Sequence, residues 1–170
     1  MRKNGVKQNF TVALFELMNL KPYDKISISD LVSKSACSRA SFYRNYSSKE
    51  QIIEEYITKA FGNTFVRHPL NKENMREEVL CIFMEINEQR AVLYILNQAE
   101  KLDVLDKLLY HETLQQINRM GVLNNQYQPF FFAGAVSSMI RAWVRFGFKE
   151  SPEQMTEIFF KSLRGYMSID

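Results

Sequence analysis

Apolar residues along this chain recur at helical spacing, and no stretch alternates strictly enough to read as a strand. Val6, Phe10, Ala13, Leu14 and Leu17 make one stripe and predict a helix over 6–18. Pro22 ends that segment, because the residue before proline avoids the helical region. Ile28, Leu31 and Val32 predict a short helix over 28–35, and Phe42 anchors a second over 39–46, with a break at Ala36–Cys37. Ile52, Ile53, Tyr56, Ile57, Ala60, Phe61 and Phe65 extend a longer helix to about residue 65. Beyond a boundary at 66–72, which contains Pro69, Met75, Val79, Ile82, Phe83 and Ile86 mark the next helix. A short apolar helix over 91–97 and a long one carrying Leu102, Leu105, Leu109 and Ile117 follow, the latter closed by Gly121. Residues 130–148 are apolar nearly all round and predict burial on most sides. A last helix carries Met155, Ile158, Phe159, Leu163 and Tyr166 on one face. The expectation is an all-α fold of about nine helices.

Hydroxyl residues punctuate the pattern. Ser27 precedes Asp30 by three, Ser38 precedes Ser41, Ser47 precedes Glu50, and Ser151-Pro152 precedes Gln154. A hydroxyl at the N-cap accepts a bond from an unpaired N–H of the first turn, and an acid or amide three residues on reaches back. The first three caps fall within 27–52 and announce two short helices joined by a tight turn, followed by a third. That is the helix-turn-helix plan, whose second helix enters the DNA major groove. The outward residues of that second helix are Arg39, Ala40, Ser41, Tyr43, Arg44 and Asn45. Arginine pairs bidentately with guanine and asparagine with adenine, while small residues admit a close backbone approach.

Composition fits a soluble globular chain: 170 residues, 46% hydrophobic and 24% charged. Cys37 and Cys81 are the two cysteines, so a disulfide framework is not expected and the cytoplasm is the expected compartment. No apolar stretch has the length of a membrane span, and no membrane partner is expected. The net charge is +3, unevenly spread. Residues 1–50 hold nine Lys or Arg and four acids, a net +5, which leaves −2 for the remainder. A basic module joined to a slightly acidic one is the footprint of a protein that meets phosphate at one end.

The segment 26–52 resembles the DNA-binding segment of the TetR/AcrR family of transcriptional regulators. Ile26, Ser27, Ile28, Asp30 and Leu31, the run Ser38-Arg39-Ala40-Ser41-Phe42-Tyr43-Arg44-Asn45-Tyr46, and Ser48-Lys49-Glu50 with Ile52 carry the likeness. The resemblance implies an N-terminal three-helix helix-turn-helix domain and a C-terminal helical bundle that dimerises through its last two helices. The domains would be residues 1–50 and 51–170. Ser38, Arg39, Ala40, Ser41, Tyr43, Arg44, Asn45 and Lys49 would form the DNA-binding set, with Tyr43 and Lys49 on phosphates. Three positions depart from the family pattern: Ala36 stands where glycine is usual in the turn, Asn45 where histidine is common, and Ala40 where glycine often stands. If the turn needs positive φ, alanine there costs up to ~1 kcal/mol. The run from Phe132-Ala133-Gly134 through Trp143, with Gly147 and Ser151-Pro152-Glu153, more loosely resembles a branch of the family from low-GC Gram-positive bacteria.

In the C-terminal bundle, Phe83, Met84, Tyr94, Tyr110, Met139 and Trp143 are the candidate lining of a ligand pocket. Phe146, Met155, Ile158, Phe159, Leu163 and Tyr166 are the candidate dimer interface. His68 and His111 have no ligand partners at metal spacing, so no metal site or cofactor is expected. The acid pairs Glu77–Glu78 and Glu85–Glu88 read as solvated charge, and no catalytic constellation is present, so an enzyme is not expected. The function expected is a homodimeric regulator, a repressor, that binds a pseudo-palindromic operator in double-stranded DNA. A small-molecule or protein effector sensed in the C-terminal domain would release it. The alternative is a co-regulator or adaptor that acts through a protein partner, with DNA binding secondary.

Overall fold

A computed structural model describes residues 3–70, 73–120 and 125–167, and the side chains of all of these except 3, 4, 65 and 165–167. Three of the predicted caps form at helix starts. Ser27 and Asp30 form a reciprocal capping box at the head of α2 (Ile28–Ser35), and the Ser38 hydroxyl accepts from the Ser41 N–H at the head of α3 (Arg39–Asn45). Ser151 and Gln154 do the same at α10 (Pro152–Met167), where Gln154 Oε1 accepts from the Ser151 N–H at 2.8 Å. The third expected cap works differently. Ser47 meets Gln51 Oε1 through its N–H and its hydroxyl, at 2.7 and 3.1 Å, whereas Glu50 turns away to Tyr23.

Among the described residues there are ten α-helices and one 3-10 turn, and no strand. Before α2 come α1 (Lys3–Met18) and the 3-10 turn Tyr23–Lys25; after α3 come α4 (Glu50–Phe61) and α5 (Thr64–Arg67). The rest are α6 (Met75–Glu88), α7 (Arg90–Gln98), α8 (Asp103–Met120) and α9 (Gln128–Arg145). The one helix beyond the expected nine arises because the run toward residue 65 breaks at Gly62. A Cβ there would lie 2.4 Å from the Thr58 carbonyl oxygen, so the close backbone turn that splits α4 from α5 needs glycine. Gly121, expected to close the long helix, lies outside the described residues.

The core is continuous from the helix-turn-helix into the bundle. Phe10, Leu14, Leu31, Phe42, Ile52, Ile53 and Ile57 are buried around α1–α4. Ile86, Leu93, Leu96, Leu105, Leu109, Ile140, Trp143 and Val144 continue that core through α6–α9. Helices α8 and α9 pack against each other most extensively, and Arg141 of α9 pairs with Asp106 of α8. Burial pushes the Asp106 carboxyl up, against the pull of Arg141. The expectation that 130–148 would be buried on most sides is corrected: Phe130, Phe131 and Phe146 are 54%, 57% and 64% exposed, so one side of α9 faces out.

Where α5 meets α6, the acids do more than meet solvent. Arg67 grips Glu85 bidentately (2.8 and 2.7 Å), and the buried Thr64 hydroxyl donates to it at 2.9 Å. The His68 ring lies between Glu78 and Glu85, at 3.0 and 2.9 Å. The Arg67 guanidinium, against the opposing pull of burial and with help from Thr64 and His68, holds the Glu85 carboxyl at about 2, below its ordinary 4.5. A depressed carboxylate stabilises the fold above its ordinary range, and that contribution is lost as pH falls through the folded value. Glu85→Gln should therefore lower stability to urea by about 1–2 kcal/mol at neutral pH. The deficit should shrink between pH 4.5 and about 2, and denaturation curves across that range check it.

Candidate nucleic-acid interface

The short helix α3 is held by two aromatic side chains on its inner face. Phe42 and Tyr46 are 0% and 2% exposed, and Phe10 of α1 meets their rings edge-on at 5.4 and 6.2 Å. Such aromatic pairs contribute ~0.5–1.5 kcal/mol beyond the area they bury. On the other side of α2, Lys21 reaches Asp30 at 2.8 Å. The Lys21 ammonium and the Ser27 donors together hold that carboxyl well below the usual range. The turn between the helices carries Ala36 at φ 53°, ψ 29°, in the left-handed region, so the departure from glycine here carries a conformational cost. Cys37 beside it is half-buried, its sulfur 3.9 Å from the Asn9 amide.

The outward face of α3 brings seven of the eight predicted residues together. Arg39, Ala40, Tyr43 and Arg44 are exposed, Ser41 and Asn45 are half-buried, and Ser38 opens the helix. The face is tethered within itself. Arg39 donates to Ser29 of α2 at 3.3 Å and lies 5.8 Å from the Tyr43 ring centre. Arg44 donates to the Ser41 hydroxyl at 3.1 Å, and the Asn45 amide donates to the Ser41 carbonyl at 2.7 Å. No carboxylate among the described residues pairs with Arg39 or Arg44. Elsewhere in α1–α2, Lys7 pairs with Glu55, Lys21 with Asp30 and Lys34 with Glu16. Arg39 and Arg44 thus keep their charge uncommitted on the outward face of α3.

Lys49, the eighth residue, turns inward. Its ammonium donates to the carbonyls of Tyr23 and Ile26 at 2.7 and 2.9 Å and lies 4.1 Å from the Tyr23 ring centre. It ties the 3-10 turn, and through Ile26 the cap of α2, to the head of α4. The Tyr23 hydroxyl donates to Glu50 at 2.7 Å, and burial together with that carboxylate pushes the phenol well above its ordinary range. Burial pulls the Glu50 carboxyl up, but the Tyr23 bond and the local donors outweigh it, and the net shift is downward. Sequence reasoning missed Tyr23, whose partners Lys49 and Glu50 lie more than twenty residues on, and Gln51, which takes the local role at Ser47 expected of Glu50.

The two predicted C-terminal sets fare differently. The structure does not bring the six pocket residues around one cavity. Phe83 and Trp143 are core, packed edge-to-face at 5.5 Å, whereas Met84 and Tyr94 are 47% and 52% exposed. Tyr110 lines a shallow cleft between α8 and α9 with Asp106, Ser137 and Arg141. In the interface set, Met155 is corrected: it is 4% exposed, spent within its own core. Phe146 and Ile158 are exposed, Phe159 and Leu163 half-buried, and the Tyr166 side chain lies outside the described residues.

Residues 11–56 match the family model of the bacterial regulatory proteins of the tetR family. The N-terminal part of this chain is a TetR-family helix-turn-helix domain. Over 96% of its length the chain superposes on the crystal structure of Lin0861 from Listeria innocua, covering 91% of that chain with a TM-score of 0.73. The identity is 19%, and the likeness is one of fold. A stretch of 100 residues is 26% identical to SWI5-dependent HO expression protein 2 of Lachancea thermotolerans. That stretch is 59% of this chain, and it spans 42% of the length of that relative. The match runs from within α1 to within α4 and includes the segment whose caps, turn and uncommitted arginines are described above.

The positive φ at Ala36 generates a direct expectation. Left-handed alanine costs ~1–2 kcal/mol, and the extra freedom of glycine in the unfolded chain returns part of that. Ala36→Gly should therefore stabilise the protein by about 0.5–1 kcal/mol, read as a rise in the urea midpoint at constant slope.

Proposed function

We propose that this protein is a DNA-binding transcription regulator that acts as a homodimer, with residues 1–50 as the DNA-binding unit and 51–170 as the regulatory and dimerisation unit. The observation that carries this reading is the face of α3, where Arg39 and Arg44 have no carboxylate partner and sit beside Tyr43 and Asn45 on an outward helix of a TetR-family domain. Arg39 and Asn45 read base edges, because bidentate donors of those types distinguish guanine and adenine. Tyr43, Arg44, Ser38 and Ser41 meet the backbone, and Ala40 lets the helix approach. Lys49 contributes by fixing the head of α4, whose first-turn N–H groups and dipole favour a phosphate.

Dimerisation through the outward faces of α9 and α10 is supported by the exposure of Phe130, Phe131, Phe146 and Ile158. Two copies related by a two-fold axis would meet a pseudo-palindromic site with half-sites ~34–36 Å apart, or a multiple of that. Repression, release by a signal in the C-terminal domain, and a cytoplasmic location complete the reading. No described helix is long and apolar enough to cross a membrane. A second reading, an adaptor working through a protein partner, rests on the same exposed aromatic residues, joined by Tyr127 at the head of α9.

Binding of the purified protein to DNA from upstream of its own gene, titrated against salt, tests the main reading. Arg39→Ala or Asn45→Ala should lose about 1–3 kcal/mol at the cognate sequence and relax preference at one base pair. Arg44→Ala should weaken all sequences alike and reduce the salt slope by about 1. Variants that bind like the parent would remove α3 from the interface, and stable capture of one protein partner by a parent that does not bind DNA would favour the adaptor.

A further inference from the structure

A cleft of about 430 Å³ opens between α4 and α8, where the TetR-family domain meets the bundle. Its floor is apolar: Ile53 is 1% exposed, and Val104 and Leu108 are half-buried. Its walls are charged, with Glu50, Glu54 and Thr58 on α4 facing Lys101, Asp103 and Lys107 at the head of α8. Most of these charges are already engaged. Lys107 lies 3.5 Å from Asp103, Glu50 accepts from the Tyr23 hydroxyl, and the Lys101 ammonium lies 4.7 Å from the Tyr23 ring centre. Glu54 is exposed and has no hydrogen-bond or ion-pair partner among the described residues. The cleft therefore offers an apolar floor and walls with three carboxylates against two ammonium groups, and of those carboxylates Glu54 is the one without a partner among the described residues.

The same walls touch the helix-turn-helix. Lys101 sits in the corner between α7 and α8, which Glu100 turns at φ 56° and the Lys101 N–H closes on the Leu96 carbonyl at 2.8 Å. From that fixed corner Lys101 meets Tyr23, whose ring also receives Lys49 and whose hydroxyl holds Glu50. Lys49 in turn holds the Ile26 carbonyl, one residue before the α2 cap. A molecule seated between Glu50 and Lys101 separates the two walls that meet at Tyr23.

We propose that this cleft binds a small organic monocation with an apolar body, paired with Glu54, and that its occupancy acts on α2 and α3 through Lys101 and Tyr23. Paired with Glu54, an anion of the same shape would meet a like charge, and a neutral molecule would leave that carboxylate uncompensated. The coupling half of this inference rests on the DNA-binding reading; the binding half does not.

The test uses the full chain and two probes, benzyltrimethylammonium and phenylacetate, followed by calorimetric titration and ligand-observed NMR. The cation should bind saturably and the anion should not. Glu54→Gln should weaken the cation by about two- to fivefold, the loss expected for one exposed charge pair. Val104→Trp, which fills the floor, should abolish binding, with circular dichroism confirming that both variants are folded. Equal binding of both probes, no saturable binding of the cation, or unchanged affinity in Glu54→Gln would overturn the site. In a second arm, the cation should shift DNA affinity in the parent and less so in Lys101→Met. An equal shift in both overturns the coupling. A parent that binds the cation but no DNA overturns the regulator reading and leaves the site standing.

Discussion

A seven-residue helix is too short to persist in water by itself, because the first turn costs more than one hydrogen bond returns. Everything proposed for α3 depends on the packing that overcomes this cost. Phe42 and Tyr46 supply it on Phe10, and Ser38 satisfies the first turn. With that inner face fixed, the outer face is fixed too, since residues three and four apart share a side. Arg39, Tyr43 and Arg44 have nowhere to point but outward. The aromatic contacts of α1 thus decide the direction of every group that would meet DNA.

Charge is distributed by the same logic. Cations at the edges of the domain are consumed by carboxylates, at Lys7, Lys21 and Lys34, and Lys49 is consumed by two backbone carbonyls. What remains uncommitted on α3 is two guanidinium groups, tethered to hydroxyls rather than neutralised. A hydroxyl tether orients a guanidinium without cancelling its charge, which would suit the proposed exchange of that neighbour for a phosphate or a base. Exposed ion pairs contribute little to stability, so this partition bears more on recognition than on folding.

The helix-turn-helix was legible because its signals are local. Ser27 with Asp30, Ser38 with Ser41, and the break at Ala36 fall within a few residues of one another, and each element formed where the pattern placed it. The fold class followed from helical spacing alone. What escaped was long-range. Lys49 reads as an exposed cation beside a helix start, yet carbonyls more than twenty residues earlier capture it. The six aromatic and Met positions of the pocket are spread over α6–α9, and residue type does not say which side of a helix meets the core. Met84 and Tyr94 therefore face solvent while Phe83 and Trp143 pack together. Met155 lies on the same stripe as Ile158, and only the docking of α10 on α6 separates the buried residue from the exposed one.

The central claim is that α3 reads sequence in duplex DNA as one half of a two-fold assembly. Selection of bound duplexes from a random pool by the purified protein tests this most directly. The account predicts enrichment of a two-fold symmetric site whose half-sites are separated by about one helical turn or a multiple of it, with binding that falls steeply with salt. Recovery of no enriched sequence, or of an asymmetric site bound by a single copy, would contradict it.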